Sequence, residues 1–216
     1  MLILNDLILT DEFIGEVKQK HSEPHRHYHT WDGHILPMLA KFEIFHDTFN
    51  YPDAVILAIL FHDFVYEVEP SKYPSNEMLS AAAMVKMLQK HYKWYTISKN
   101  GRDNIKFAIK LIMATTKHNP YRNRATLSDK HIADVEKFLD IDLGILAAED
   151  KDLLLWYEDA IRKEFSIYED LVYNDGRSKV LHAFLERPTI FYSITKGRSN
   201  GQARANLAYL IQRLTA

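Results

Sequence analysis

Apolar residues recur every three or four positions along most of the chain, the spacing of an α-helix that buries one face. A further helix begins after Ser75, and the other predicted helices span residues 11–20, 34–47, 52–63, 103–117, 129–139, 150–173, 177–186 and 199–214. Ser, Thr and Asp residues stand in N-cap positions before several of them. Residues 189–194 form the one strand-like run, and no segment alternates for long enough to predict a sheet. The pattern predicts an all-α fold.

The composition fits a folded domain and excludes several classes of protein. A chain of 216 residues with 47% hydrophobic and 12% aromatic residues is large enough for one sizeable core. A formal net charge of −2 argues against general nucleic-acid binding, which needs a basic surface. The absence of cysteine excludes thiolate nucleophiles, cysteine-based zinc sites and disulfides. The longest apolar run, residues 54–61, is too short to cross a membrane, and we expect a cytoplasmic protein without a signal peptide.

The most informative chemistry lies at the end of that apolar run, where His62 and Asp63 follow eight apolar residues. Burying an imidazole beside a carboxylate is costly unless another group pairs with them, and a divalent cation accepts both ligand types. A histidine-rich stretch at residues 21–34 lies upstream, and the acidic pair Asp140 and Asp142 lies downstream. The order His, His-Asp, Asp predicts a metal site assembled from separate helices.

Several motifs accompany this series in a fixed order. They are Glu23–His29, Phe61–Tyr66, Asn76-Glu77, Leu139–Leu143, Ile161–Phe165, Gly176-Arg177 and Ala203–Leu207. The ordered set resembles the predicted metal-dependent phosphohydrolases of the HD superfamily, over about residues 20–212. The resemblance implies a single HD-type helical bundle with a core over about 20–173 and a helical extension over 174–216. It also implies binding of one or two divalent metals and hydrolysis of a phosphate ester.

The resemblance implies that the metal ligands are His34, His62, Asp63 and Asp142, with Mn, Mg, Fe, Co, Ni or Zn as the cation. One departure concerns the first ligand. His29 and His34 are five residues apart, where the family pattern leads us to expect four. Either the extra residue is accommodated in a turn at Gly33, in which case His34 is the ligand, or the first ligand is His29.

Further roles follow from position relative to these ligands. His29 is similar in place to the histidine that protonates the leaving oxygen in cyclic-nucleotide phosphodiesterases, and Glu77 and Asp63 are the other predicted catalytic residues. Glu77 could instead favour its helix N-terminus through the helix dipole. The predicted substrate-binding residues, expected to contact phosphate oxygens, are His25, Arg26, His118 and Arg122.

The expected function is hydrolysis of a small phosphorylated substrate, such as a nucleotide, by a metal-activated water. Two alternatives remain open from the sequence. The first is a non-catalytic HD-fold module that binds a nucleotide or a protein. The second is a metal-dependent oxygenase with two irons, which needs further ligands, and His118 is the one evident candidate.

Overall fold

The computed structural model describes residues 2–3, 8–69, 74–93, 96–121, 124–193 and 196–215. The described fold is helical, which confirms the all-α prediction. In chain order its α-helices are α1 (Asp11–Lys20), α2 (Leu36–Phe45), α3 (Pro52–Phe61), α4 (Asn76–His91), α5 (Lys99–Thr115), α6 (Asp129–Asp142), α7 (Lys151–Glu164), α8 (Asp170–Leu185) and α9 (Lys196–Leu214).

Shorter elements connect these helices. A π-helical turn covers Trp31–Ile35, and 3₁₀ turns cover His46–Thr48, Arg124–Thr126 and Leu143–Ala147. Within the described ranges, strand structure is limited to a two-residue antiparallel pair, β1 (Leu2–Ile3) with β2 (Ile8–Leu9). No described helix combines the length and apolar character that crossing a membrane requires.

The apolar core consists of two clusters. The larger one gathers buried side chains from β2 and α1 to α6. The smaller one gathers α7, α8 and α9 around the 3₁₀ turn Leu143–Ala147, together with Tyr28. The predicted division at residues 173 and 174 falls inside α8. The candidate site described below draws residues from segments that contribute to the larger cluster and from α7, which contributes to the smaller one.

The helix predicted over 150–173 is interrupted, because α7 ends at Glu164 and α8 begins at Asp170. Phe165 and Tyr168 continue the apolar spacing through the turn, so periodicity alone does not reveal the break. The Arg162 guanidinium holds this turn by donating to the carbonyls of Phe165 and Tyr168, both at 3.0 Å, and to Asp170. The predicted helix at 177–186 is therefore the second half of α8.

The strand-like run at 189–194 is not a strand where the structure describes it. Ile190 and Phe191 are buried, and their backbone N–H groups donate to the side-chain oxygen of Asn200. The next two backbone N–H groups, those of Tyr192 and Ser193, donate to the carboxylate of Asp140. Side chains thus satisfy the backbone that a neighbouring strand would otherwise have paired.

Asp134 on α6 fixes the start of α3. Its buried carboxylate accepts hydrogen bonds from the backbone N–H groups of Asn50 and Tyr51, at 2.9 and 2.8 Å, and from the Asn50 amide. Tyr51, the N-cap residue of α3, has no side-chain cap of its own. Asp134 therefore caps α3 from another helix and links α3 to α6 about two turns before Asp142.

We expect Asp134→Ala to lower the free energy of unfolding by about 2–4 kcal/mol, because several buried donors lose a charged acceptor. Urea denaturation measures the loss. Asp129→Ala, at an exposed position in the first turn of the same helix, is the matched control and should cost less than about 1 kcal/mol. Equal losses in the two variants would contradict the capping role.

Candidate functional site

His62 and Asp63 are placed by α3, the most apolar of the described helices. Every residue of this helix from Asp53 to Phe61 is buried, and His62 is its C-cap. The His62 backbone N–H still completes the helix by donating to the carbonyl of Ala58 at 2.8 Å. The chain therefore delivers an imidazole and a carboxylate to the end of a buried helix, where water cannot solvate them fully.

His34 reaches the same place through the π-helical turn Trp31–Ile35. In this turn the Ile35 N–H donates to the carbonyl of Thr30, five residues back. A π turn contains one residue more than the corresponding turn of an α-helix, and this turn brings His34 to the cluster. Gly33 is required there, since an added Cβ would lie 2.8 Å from the Tyr28 carbonyl oxygen.

Asp142, the last residue of α6, completes a cluster of two imidazoles and two carboxylates. The Nε2 atoms of His34 and His62 are 3.0 Å apart. Asp142 Oδ1 lies 3.2 Å from His34 Nε2 and 3.6 Å from His62 Nε2. Asp63 Oδ2 lies 3.1 Å from His62 Nε2 and 3.7 Å from His34 Nε2. The four predicted ligands therefore point their donor atoms at one small volume.

These separations suit a cation. Donor atoms about 2.0–2.4 Å from one metal ion lie about 3–4 Å from their neighbours in octahedral or tetrahedral sites. The buried group His34, His62 and Asp63, whose donor atoms all lie within 4.8 Å of one another, could hold a metal ion. Neither His29 nor Asp142 belongs to this group. Asp142 Oδ1 nevertheless lies within 3.6 Å of the Nε2 atoms of both His34 and His62. His29 instead places its Nδ1 2.7 Å from Glu164, so its geometry suits a ligand less well than that of His34.

Hydrogen bonds orient both imidazoles. His62 Nδ1 lies 3.1 Å from the carbonyl oxygen of Ile59, which can only accept, so Nδ1 carries the proton. A neutral His62 then turns its Nε2 lone pair towards the cluster, as a metal ligand would. His34 Nδ1 lies 3.1 Å from the Tyr28 hydroxyl, and its Nε2 faces the cluster in the same way.

The cluster shifts the pKa values of its own members. Burial alone lowers the pKa of His62, but the adjacent Asp63 and Asp142 raise it well above its ordinary value. Burial alone raises the pKa of Asp142, but His62, with the hydrogen bonds from His118 and His34, holds it well below its ordinary value. The pKa of Asp63 is lowered in the same way, and both carboxylates are therefore anionic at neutral pH.

Beside the cluster, His29 forms a pair with the buried carboxylate of Glu164 at the end of α7. His29 Nδ1 lies 2.7 Å from Glu164 Oε2, and Tyr66 donates its hydroxyl to the same oxygen at 3.0 Å. His29 Nε2 lies 3.8 Å from Asp63 Oδ2. Burial lowers the pKa of His29, but Glu164 and Asp63 raise it overall. The pair can hold a proton on the ring and direct Nε2 towards the cluster.

Glu164 also holds the backbone of the histidine-rich segment. Its Oε1 accepts three backbone N–H groups, from His27, Tyr28 and His29, each at 2.8 Å. Burial raises the pKa of Glu164, but its charge contact and hydrogen bonds with His29, together with these backbone donors, lower it from 4.5 to about 2. Glu164 thus positions both the loop and the imidazole.

Arg26 does not have the substrate-clamping role that the sequence predicted. All five of its N–H donors are occupied. Nε donates to Glu23, one terminal nitrogen donates to the carbonyls of His29 and Asp63, and the other donates to Glu23 and the carbonyl of Phe64. The guanidinium is buried and braces the loop against the segment after α3. A phosphate cannot bind these N–H groups without displacing the protein oxygens that already accept from them.

Three more predicted residues lie away from the cluster or outside the described chain. His25 is exposed, and its Nε2 contacts the carbonyl of Tyr66. Glu77 stands in the first turn of α4 and does not line the cavity beside the cluster, so its position fits the helix-dipole alternative. Arg122 lies outside the described residues.

His118 belongs to the site. Its Nε2 lies 3.1 Å from Asp142 Oδ2, and its backbone has a positive φ of 44° at the end of the turn after α5. The ring is partly exposed and lines the cavity beside the cluster. His118 is therefore placed to orient Asp142 and to contact a ligand.

A cavity of about 560 Å³, hereafter the apolar cavity, opens beside the cluster between the histidine-rich segment and α7–α8. His29, His34, His118 and Asp142 form its polar wall. The volume lies within the range of small-molecule sites, about 300–1,000 Å³. The cluster is therefore accessible to a small organic ligand.

Comparison with known proteins gives no relative for this chain, since no family model, curated protein or solved structure matches it.

The sequence prediction missed Glu164, Tyr66 and Tyr28 as site residues. Glu164 carried a detectable signal, because it follows Tyr157 and Ile161 at helical spacing and so places an acid on an apolar stripe. The two tyrosines lie in the motifs Glu23–His29 and Phe61–Tyr66, but the motifs gave them no role of their own. Their positions depend on the course of the loops before α2 and after α3, which periodicity does not specify.

Because the pKa of Glu164 is lowered in the folded state, the carboxylate stabilises the fold above pH 4.5, and this stabilisation is lost as the pH falls from 4.5 towards 2. We expect Glu164→Gln to lower the free energy of unfolding at pH 7, by up to the order of 3 kcal/mol, and by progressively less at acidic pH. Urea denaturation between pH 7 and pH 3, with EDTA throughout, measures the difference.

The exposed variant Glu43→Gln is the matched control and should cost little at any pH. If the cost of Glu164→Gln were the same at pH 7 and pH 3, the carboxylate would not be the source of the stabilisation.

Proposed function

We propose that this protein is a metal-dependent phosphohydrolase that cleaves a phosphate ester. The convergence of His34, His62, Asp63 and Asp142 on one volume, beside a cavity of ligand size, carries the proposal. Three separate segments supply these four residues in the order of the HD pattern. The resemblance to that superfamily rests on the motifs of this chain, and the substrate class it suggests includes nucleotides.

The donor set fits a divalent cation. Two neutral imidazoles and two carboxylates suit Mn²⁺, Fe²⁺, Mg²⁺, Co²⁺, Ni²⁺ or Zn²⁺, and the two negative charges balance the ion. His34, His62, Asp63 and Asp142 would hold it. When bound, such a cation supplies Lewis acidity, which acidifies water and offsets charge that develops on phosphoryl oxygens.

His29 is the proposed general acid. Glu164 accepts a hydrogen bond from the Nδ1–H group of His29 and stabilises the imidazolium. Nε2 can therefore carry the proton that a leaving alkoxide needs. The fixed orientation of the ring reduces the reorganisation that the proton transfer requires. Tyr66, bound to the same carboxylate, packs its ring against His29 with centroids 4.3 Å apart and limits ring motion.

His118 is proposed to contact the phosphoryl group. It lines the cavity, and its Nε2 lies within hydrogen-bond distance of Asp142 Oδ2. It can therefore orient that carboxylate and offer its imidazole to a phosphate oxygen. Arg26 and His25 have no such role in this proposal. Arg26 instead supports the loop that presents His29.

The first test of the proposal is metal content. His62→Ala and Asp63→Ala should each lose most bound metal after loading with Mn²⁺ and gel filtration, because each removes a ligand from a compact buried set. Elemental analysis measures the content, and phosphate release from a panel of phosphate esters measures activity. His46→Ala, an exposed histidine, is the control and should retain both. Full activity in Asp63→Ala would show that the site is elsewhere.

His29→Ala separates catalysis from metal binding. We expect unchanged metal content and a turnover lowered by roughly 10²–10⁴-fold, the range for general acid catalysis. The loss should shrink for nitrophenyl phosphates, whose leaving groups do not need protonation. Loss of metal in this variant would instead make His29 a ligand. If no phosphate ester is hydrolysed with any of the candidate metals while a nucleotide raises the melting temperature, the protein is a binding module.

A further inference from the structure

Beyond the residues of the cluster, the apolar cavity has a largely hydrocarbon lining. Side chains from the 3₁₀ turn after α6, from the turn after α7 and from α8 form most of it, namely Leu143, Ile145, Leu146, Phe165, Leu181 and Phe184. A ligand group bound against these side chains gains by leaving water in proportion to its apolar surface. The cavity therefore combines the polar groups of the cluster with a largely apolar lining.

Five of the described residues that line this cavity are tyrosines. Each of the five hydroxyls already has a protein partner, as follows: Tyr28 with His34, Tyr66 with Glu164, Tyr157 with Arg177, Tyr168 with Glu69, and Tyr173 with Glu158. A sugar or a base edge bound here would have to share hydroxyls that already have partners, whereas an apolar group requires no hydrogen bond.

Apart from the histidines of the site, the described lining of the cavity offers little positive charge for additional phosphates. Among the described residues that line it, Arg177 is the single arginine or lysine. Its guanidinium is paired with the Glu158 carboxylate at 2.9 Å and donates to the Tyr157 hydroxyl at 2.8 Å. The positive charge is therefore already balanced, and a second or third phosphate would enter without a counterion.

From these contacts we infer that the substrate is a phosphate monoester of an apolar alcohol, with its single phosphoryl group at the cluster and its hydrocarbon or aromatic group in the apolar cavity. The inference rests on the proposed function, and it disfavours nucleoside di- and triphosphates. The chemistry is ordinary hydrolysis, in which water adds to phosphorus, the ester P–O bond breaks, and the leaving alkoxide takes a proton to become the alcohol.

Gly176 on α8 offers a way to fill the cavity without disturbing the fold. It lines the cavity, and an added Cβ would meet no heavy atom within 4 Å. Replacing a helical glycine by leucine also favours the helix. Gly201→Leu on α9 is the matched control, because its Cβ is equally free and the residue does not line the cavity.

The experiment uses Mn²⁺-loaded full-length protein and two homologous series. Ethyl, butyl, hexyl and octyl phosphates report turnover through phosphate release, with AMP and ATP as competitors. The matching alkylphosphonates, which cannot be hydrolysed, report binding by calorimetry. Each buried methylene should improve kcat/KM and phosphonate affinity about three- to fourfold until the cavity is full.

Hexyl phosphate should therefore exceed ethyl phosphate by about 10²-fold in kcat/KM in the wild-type protein. Gly176→Leu should reduce the hexyl-to-ethyl ratio at least tenfold, while Gly201→Leu should keep the wild-type ratio. A flat chain-length profile would overturn the inference. So would a preference for AMP or ATP over hexyl phosphate, or a Gly176→Leu variant with the wild-type ratio.

The two series separate this inference from the proposed function. If phosphonate affinity rises with chain length but no ester is hydrolysed, the apolar cavity binds as inferred and the enzymatic proposal fails. If esters are hydrolysed without regard to chain length, the enzymatic proposal stands and the inference about the substrate is wrong.

Discussion

The site depends on the burial of two polar residues at the end of an apolar helix. Because α3 is buried from Asp53 to Phe61, the next residues, His62 and Asp63, enter the protein interior with it. An imidazole or a carboxylate there loses most of its hydration, and only close opposite charge or hydrogen bonds can offset that loss. His34, on the π-helical turn before α2, and Asp142, at the end of α6, supply those contacts.

The histidine-rich segment owes its shape to two charged side chains that are fully engaged. Glu164 on α7 collects three consecutive backbone N–H groups, and Arg26 within the segment donates to three carbonyls on the other side. A loop without regular secondary structure needs such partners, since its buried backbone groups cannot form the hydrogen bonds of a helix or a sheet. The same contacts orient His29, so the loop's stability and the geometry of the proposed acid have one origin.

Much of the fold and the central part of the site could be predicted from the sequence, and the parts that failed have physical reasons. Helical periodicity located most helices but concealed the turn after Glu164, since Phe165 and Tyr168 keep the apolar spacing through it. The order of His and Asp residues identified the four side chains that converge. Arg26 was misjudged because the residue type suits a phosphate as well as a carbonyl, and only the loop geometry shows which one it meets.

The second environment of the site, the apolar cavity, was not predictable because its wall comes from α7, α8 and the turn after α6, which no motif relates to one another. Its apolar character also strengthens the cluster, since charges interact more strongly where water is excluded. His62 Nδ1 donates to the Ile59 carbonyl, so the facing Nε2 atoms of His34 and His62, 3.0 Å apart, satisfy each other only when one carries a proton. A cation between these lone pairs and the two carboxylates would replace that proton, so binding it would release protons. The fold therefore brings together two imidazoles and two carboxylates whose protonation states depend on one another, and the group His34, His62 and Asp63 could hold a metal ion.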